Sequence, residues 1–305
     1  MAVSKLRELE FNIVTAPSDR LLLPRSLGHI DRPTSALGLG CSRFGSILGL
    51  SRGDAARLID TALDSGINFF DTADIYGQGE SERILGSHLQ KNRAIVATKV
   101  GQRFPPLYRI MSALKRPIAP LLRSSRSAAR VVRSSRARPL PLDFRPAYLN
   151  SAVEKSMKRL RRDAVDLLFL HNPDIDDINI GEALDFLVDL KGKGKVKLVG
   201  ISTDNEQVLM TGLADPRVDA IQCRLQQSTT AAEALSSAAQ RGVIVVAREI
   251  FGGVATGNNF PSLPMVQSQV KKAVSNPFVT VALIGTTKQA HLVQSVDALV
   301  NPVEN

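Results

Sequence analysis

The chain lacks what covalent cross-linking and membrane insertion require. Only Cys41 and Cys223 are cysteines among 305 residues, which excludes a disulfide framework and leaves a reducing cytoplasm as the expected location. No apolar run approaches the roughly 18 residues that a membrane-spanning helix needs. The opening MAVSKLRELEFNIV has no continuous apolar core followed by a small-residue cleavage site, so no secretory signal is expected. Negative charge is scarce in one place only. Between Gln102 and Asn150 there are eleven Lys/Arg and a single acid, Asp143, a balance of 11 − 1 = +10 that equals the net charge of the whole chain; the remainder holds 28 bases and 28 acids. Aromatic residues are absent between Arg109 and Arg138. The rings that stack on bases are therefore missing where the basic residues are densest, and nucleic-acid binding is not expected.

The chain as a whole has the make-up expected of a soluble globular protein, with 44% apolar composition and a mean hydropathy of −0.01. Short apolar runs alternate with amphipathic stretches from about residue 37 onward. The runs that read as strands are 37–41, 68–73, 94–100, 165–170, 196–202, 218–222, 243–247 and 280–284. They are rich in Val, Ile, Leu and Phe without strict polar alternation, as parallel strands buried on both faces are. Ser51, with Asp54 three residues on, marks a helix start, Gly66 marks the end of that helix, and Thr203 or Asp204 is placed to cap a later one. Eight strands, each followed by a helix, predict a single (β/α)₈ barrel domain over 1–305, a fold that needs about 250 residues. An open doubly wound sheet is the rival. Residues 1–35 form an N-terminal extension, placed as a hairpin or plug at the barrel bottom. Residues 102–145 form an Arg-rich insert of low complexity after the third strand, read as a solvated loop ahead of a lid.

Reactive side chains of a barrel belong at the carboxyl ends of its strands, and the polar residues there form a coherent set. The second strand brings Asp71, five residues before Tyr76; the third ends in Lys99, the fourth at His171, the fifth at Ser202 and the sixth at Gln222. A Lys beside a Tyr favours the phenolate and predicts a lowered phenol pKa, while Asp71 keeps Lys99 charged. His171 is placed to hold a carbonyl oxygen that Tyr76 protonates. The set is read without a metal and has no strong nucleophile; it suits polarisation of a carbonyl while a cofactor supplies hydride. The glycines of Gly38-Leu-Gly40-Cys-Ser-Arg-Phe-Gly45 have the wrong spacing for a Rossmann fingerprint.

These segments resemble the aldo-keto reductases. Gly66-Ile-Asn-Phe-Phe-Asp71-Thr-Ala-Asp-Ile-Tyr76-Gly-Gln-Gly-Glu-Ser-Glu82 is similar to the stretch carrying that family's catalytic Asp and Tyr. Ala97-Thr-Lys99 resembles its Lys strand, and Asp166-Leu-Leu-Phe-Leu-His171 its His strand. The resemblance implies a catalytic tetrad of Asp71, Tyr76, Lys99 and His171, a small-molecule carbonyl substrate, and NADPH as cofactor. It further implies that Gly40 and Cys41 lie beside the cofactor and that Ser202 and Gln222 hold the nicotinamide amide, with Thr203 where the family often has Asn. Arg248 stands in place of the Tyr that stacks on nicotinamide, with Phe251 and Gly252 continuing that wall. Gly285, Thr286, Thr287 and Lys288, in Gly285-Thr-Thr-Lys-Gln-Ala-His291, match the turn that holds the 2′-phosphate at a helix start. His291 and Gln294 then lie near the adenine, with Ser295 where an Asn is common. The predicted function is NADPH-dependent reduction of an aldehyde or ketone. A cofactor-binding regulatory or redox-sensing subunit is the alternative, and a barrel anchored to an anionic surface by its Arg-rich arm a third reading.

Overall fold

A computed structural model describes residues 21–46, 49–90, 93–104, 140–174, 180–225, 228–252 and 261–300. Two strands, β1 (Pro24–Leu27) and β2 (Ile30–Ser35), pair as an antiparallel hairpin. The next eight are β3 (Leu37–Gly40), β4 (Phe69–Asp71), β5 (Ile95–Val100), β6 (Val165–His171), β7 (Val196–Ser202), β8 (Ala220–Arg224), β9 (Ile244–Arg248) and β10 (Val281–Ile284). They close into a barrel in chain order, every neighbouring pair parallel, with β10 returning to β3 through Ala282↔Leu37 and Ile284↔Leu39. That closure excludes the open sheet. The strands start and end within a residue or two of the apolar runs. β8 lies two residues later than 218–222, because Asp215 to Val218 is a turn, closed by the Val218 amide on the Asp215 carbonyl at 3.1 Å.

The helices are α1 (Arg52–Asp64), α2 (Glu80–His88), α3 (Pro146–Leu160), α4 (Ile180–Gly192), α5 (Glu206–Ala214), α6 (Thr229–Gln240), α7 (Leu263–Val274) and α8 (Gln289–Val300). Ser51 caps α1 by accepting from the Asp54 amide, and Gly66 follows that helix at φ +78°. The cap of α5 is Asn205, not Thr203 or Asp204. Its side-chain oxygen accepts from the amides of Gln207 and Val208, while the Thr203 hydroxyl accepts from the Asn205 amide. No helix among the described residues is long and apolar enough to cross a membrane.

Side-chain alternation along the strands separates two cores. Phe69, Ile95, Ala97, Leu167, Phe169, Leu198, Ala220, Ile244, Val246, Val281 and Leu283 fill the barrel, whereas their neighbours Phe70, Val96, Leu168, Val199, Ile221, Val245 and Ala282 meet the helices. Gly38 faces inward, where a Cβ would lie 2.8 Å from Leu283 and 2.9 Å from Phe69, so the close-packed interior demands glycine there. The hairpin closes the bottom: Leu27 and Ile30 join the interior core. Arg32 pins the hairpin to Asp166, which also receives Arg162, Lys197 and the Val96 amide.

The Arg-rich insert leaves and rejoins the barrel through a short antiparallel contact. The Arg103 amide bonds to the Pro141 carbonyl, the Asp143 amide to the Gly101 carbonyl, and the Asp143 carboxylate takes both Arg103 and Arg145. Nine of the insert's eleven basic residues, all but Arg103 and Arg145, fall in 105–139. The expected solvated loop and lid therefore lie outside the described residues, as do positions 1–20 of the N-terminal extension.

Candidate active site

The inward parity that fills the barrel continues to its top. Asp71, Lys99, His171, Gln222 and Arg248 each stand two residues beyond an interior residue (Phe69, Ala97, Phe169, Ala220 and Val246), and Ser202 stands four beyond Leu198. Six strands thereby aim polar side chains at one place. At the centre the Lys99 ammonium donates to both oxygens of Asp71, at 2.7 Å each, and to the Thr72 carbonyl at 2.9 Å. Lys99 is 1% and Asp71 5% exposed. Burying such a pair is tolerable only because its donors and acceptors are matched. Gln222 adds its amide to Asp71 at 2.8 Å, and the Ser202 hydroxyl donates to the Gln222 side-chain oxygen at 2.8 Å. Ser202 and Gln222 thus hold Asp71 from below. Neither lines the cavity, and their expected contact with a nicotinamide amide stays an expectation.

Tyr76 arrives from the turn between β4 and α2. The turn is fixed on one side by Ser81, whose hydroxyl donates to the Cys41 carbonyl and receives Thr72, and on the other by the Asp74 amide on the Lys99 carbonyl. Gly79, at φ +81°, lies flat on Arg159, where a Cβ would come within 2.7 Å of the side chain. The Lys99 ammonium sits 5.1 Å from the Tyr76 ring centre, and the His171 ring meets Tyr76 edge-on at 5.8 Å. Burial pushes the Tyr76 phenol above its ordinary value, more than Lys99 pulls it down, with Asp71 adding to the rise. Lys99 lowers the phenol pKa as expected, but the net direction is the reverse of the expectation, because burial outweighs that pull. Burial, then the Lys99 and Arg248 charges, hold His171 well below the ordinary imidazole range, so the ring is neutral near pH 7. Its Nδ1 is buried without a partner.

A cavity of about 230 Å³ opens above this set, lined by Gly40, Asp71, Tyr76, Arg248, Phe251 and Gly285 to Thr287, and also by Ser42, Arg43, Glu249, Ile250 and Leu283. Ser42, Arg43 and Glu249 went unnoticed in the sequence, although they lie within three residues of the ends of β3 and β9. Cys41 does not reach the cavity. It lies on the outward parity of Leu37 and Leu39, fully buried among helix-facing residues, with its thiol turned to the Leu39 carbonyl. Lys288, His291 and Gln294 stand beyond the cavity wall, at the start of and along α8. Thr286, buried, bonds through its hydroxyl to the Lys288 backbone and shapes the turn into that helix. Gly252 follows Phe251 in an exposed turn at φ +72°. Of the five non-glycine residues with left-handed backbone among the described residues, three adjoin the site: Gln78 near Tyr76, Asn172 after His171 and Glu249 after Arg248. Backbone strain of this kind concentrates where side chains are held for function.

A buried carboxylate–lysine pair and a neutral histidine, both against a tyrosine that lines the cavity, suit proton delivery to a carbonyl oxygen. The helix start at Gly285–Lys288 suits an anion. A model of the Aldo/keto reductase family matches residues 36–276. An uncharacterized oxidoreductase of Bacillus subtilis is 32% identical over 187 residues, 61% of this chain and 50% of its own. A 6-dehydroglucose reductase of Novosphingobium aromaticivorans is 34% identical over 191 residues, 58% of this chain and 50% of its own. The chain thus spans about half the length of these relatives. An aldo-keto reductase of Bacillus halodurans, solved in its holo form, superposes with a TM-score of 0.70 at 25% identity, covering 94% of this chain and 93% of that one.

Proposed function

The chain belongs to the aldo/keto reductase family, and from that membership we propose that it reduces an aldehyde or ketone to the alcohol with NADPH, Tyr76 delivering the proton. The observation that carries the proposal is the buried Lys99–Asp71 pair beneath the Tyr76 ring, with neutral His171 at the ring's edge. A phenol whose pKa is raised keeps its proton at neutral pH, as a general acid must. As the proton leaves toward the carbonyl oxygen, charge develops on the phenol oxygen, and the Lys99 ammonium is already in place to stabilise it. Asp71, braced by Gln222, keeps that ammonium in position. The neutral His171 orients the carbonyl without competing for the proton.

The cavity between Tyr76 and Gly285–Thr287 supports an extended dinucleotide, with Thr286, Thr287 and Lys288 at the α8 start as the phosphate end and Arg248 and Phe251 along its wall. When bound, its reduced nicotinamide supplies the hydride. The named activity of the Novosphingobium relative makes a sugar-type carbonyl a reasonable first substrate beside an aromatic aldehyde.

The test follows NADPH oxidation with both substrates in wild type and Tyr76→Phe. The variant should lose about 10²–10⁴-fold in kcat and keep its NADPH affinity. Turnover retained in the variant overturns the role of Tyr76. Tight NADPH binding without turnover in wild type moves the assignment to the regulatory subunit, and absence of NADPH binding overturns the cofactor.

A further inference from the structure

Arg248 ends β9 at the same inward parity that delivers Lys99 and His171, and it lines the cavity together with Tyr76. Its guanidinium is held by Asp204 at 2.5 Å and Glu249 at 3.0 Å. The same two acids hold Arg224, at 3.4 and 2.9 Å. The two acids are more open to water than the arginine they hold: their side chains are 33% and 34% exposed against 19% for Arg248. Solvent therefore screens the acids more than the arginine, and the cation's influence reaches inward less cancelled than the formal pairing suggests. The Arg248 Nε, sealed from solvent, has no acceptor. Glu249 adopts a left-handed backbone, as Asn172 does after His171, so the fold holds Arg248 with the same kind of local strain that it spends on His171.

We propose that Arg248 is a second cation acting on the Tyr76 phenol, and that the Asp204 carboxylate sets how strongly it acts. The proposal rests on the reading of Tyr76 as proton donor and adds the residue pair that tunes it. Both members act through Tyr76 and are positioning residues. The charged and titratable groups around the phenol are Asp71 from β4, Lys99 from β5, His171 from β6 and Arg248 from β9, with Arg43 and Glu249 on the cavity wall. Direct contact with both oxygens of Asp71 offsets part of the Lys99 charge, whereas Arg248 is offset only from the rim. Arg248 favours the phenolate and also disfavours a proton on His171. One residue therefore adds to burial and Lys99 in keeping the imidazole neutral and also eases departure of the phenol proton.

The composition permits a direct test. The chain has three tyrosines and no tryptophan, so phenolate absorbance in the cofactor-free protein reads tyrosine ionisation alone, and subtracting Tyr76→Phe isolates Tyr76. In Arg248→Met the midpoint should rise by about half a unit to one unit, leaving roughly three- to tenfold less Tyr76 phenolate at a fixed pH below the midpoint. Arg248→Lys should restore most of the wild-type signal. Asp204→Asn, which removes the competing anion and keeps a hydrogen-bond acceptor, should shift the midpoint the opposite way. A Tyr76 titration unchanged in both Arg248→Met and Asp204→Asn, or moved in the same direction by both, overturns the proposal. The readout does not involve turnover. An active Tyr76→Phe enzyme would sink the proton-donor reading while the titration still measured the coupling, and an inactive one with unmoved titrations would sink only the coupling.

Discussion

Replacing Glu82 with alanine would remove the clamp beneath the Tyr76 turn. Glu82 sits on α2 and is 0% exposed. One of its oxygens accepts from the Thr98 hydroxyl at 2.7 Å, next to Lys99, and the other from the Arg159 Nε at 2.6 Å. Arg159 is the side chain on which Gly79 lies. Removing one partner of a buried ion pair costs about 3–5 kcal/mol, because the remaining charge loses its counter-charge without regaining water. Two features favour the lower end. The Arg159 side chain keeps 17% exposure and a bond to Ser156, and Asp74 stands nearby with its pKa raised, by burial first and by the Glu82 charge second. Without Glu82 that second cause is gone, so Asp74 ionises more readily and offsets part of the lost anion. The expected loss is about 3 kcal/mol, or roughly 6–12 °C in Tm at about 2–4 °C per kcal/mol for a domain approaching this size. Urea unfolding of Glu82→Ala, Arg159→Ala and the double variant measures it, and the pair should show a coupling of about 2 kcal/mol. Glu82→Gln, which keeps the Thr98 bond, should fall between. A loss under about 1 kcal/mol in Glu82→Ala, or strict additivity in the double variant, would show that the clamp is not an energetic unit.

Two further outcomes follow from titratable groups with shifted pKa. Asp74 has a raised folded-state pKa, so the folded chain holds a proton that the unfolded chain has released above about pH 4. Its contribution is full below that value and fades as pH rises through the folded pKa. Asp74→Asn should therefore raise Tm at pH 8 and leave it unchanged near pH 4; a gain of equal size at both would refute the assignment. His171 is depressed, so the unfolded chain takes up a proton near pH 6.5 that the folded chain refuses. The stability it contributes is present above that pH and lost below it. His171→Gln should flatten the fall in stability between pH 6.5 and 5, and a slope equal to the wild-type slope would exclude the buried neutral ring.

The barrel strands were legible because each apolar run is short and bounded by polar turns, and a closed parallel barrel buries both faces of every strand. The Asp71, Tyr76, Lys99 and His171 set was legible because strand ends are few and chemistry-bearing residues at them are fewer. What escaped depends on contacts between distant segments. Three polar residues in a row precede α5, and sequence does not say which one caps it; Asn205 does, while Asp204 goes to Arg224 and Arg248. Cys41 was expected at the cofactor because it adjoins Gly40, yet counting from Leu37 and Leu39 puts it on the helix side. The same counting from Ile244 and Val246 puts Arg248 inside, so a second cation facing the site could be read from the sequence. Its restraint by acids on two loops could not. The sign of the Tyr76 shift escaped for a related reason. It depends on how far burial and the Asp71 oxygens cancel Lys99, and no spacing of residues along the chain encodes that balance. In this barrel the parity of the strands decides which groups meet, and the pairing among those groups decides how acidic the tyrosine is.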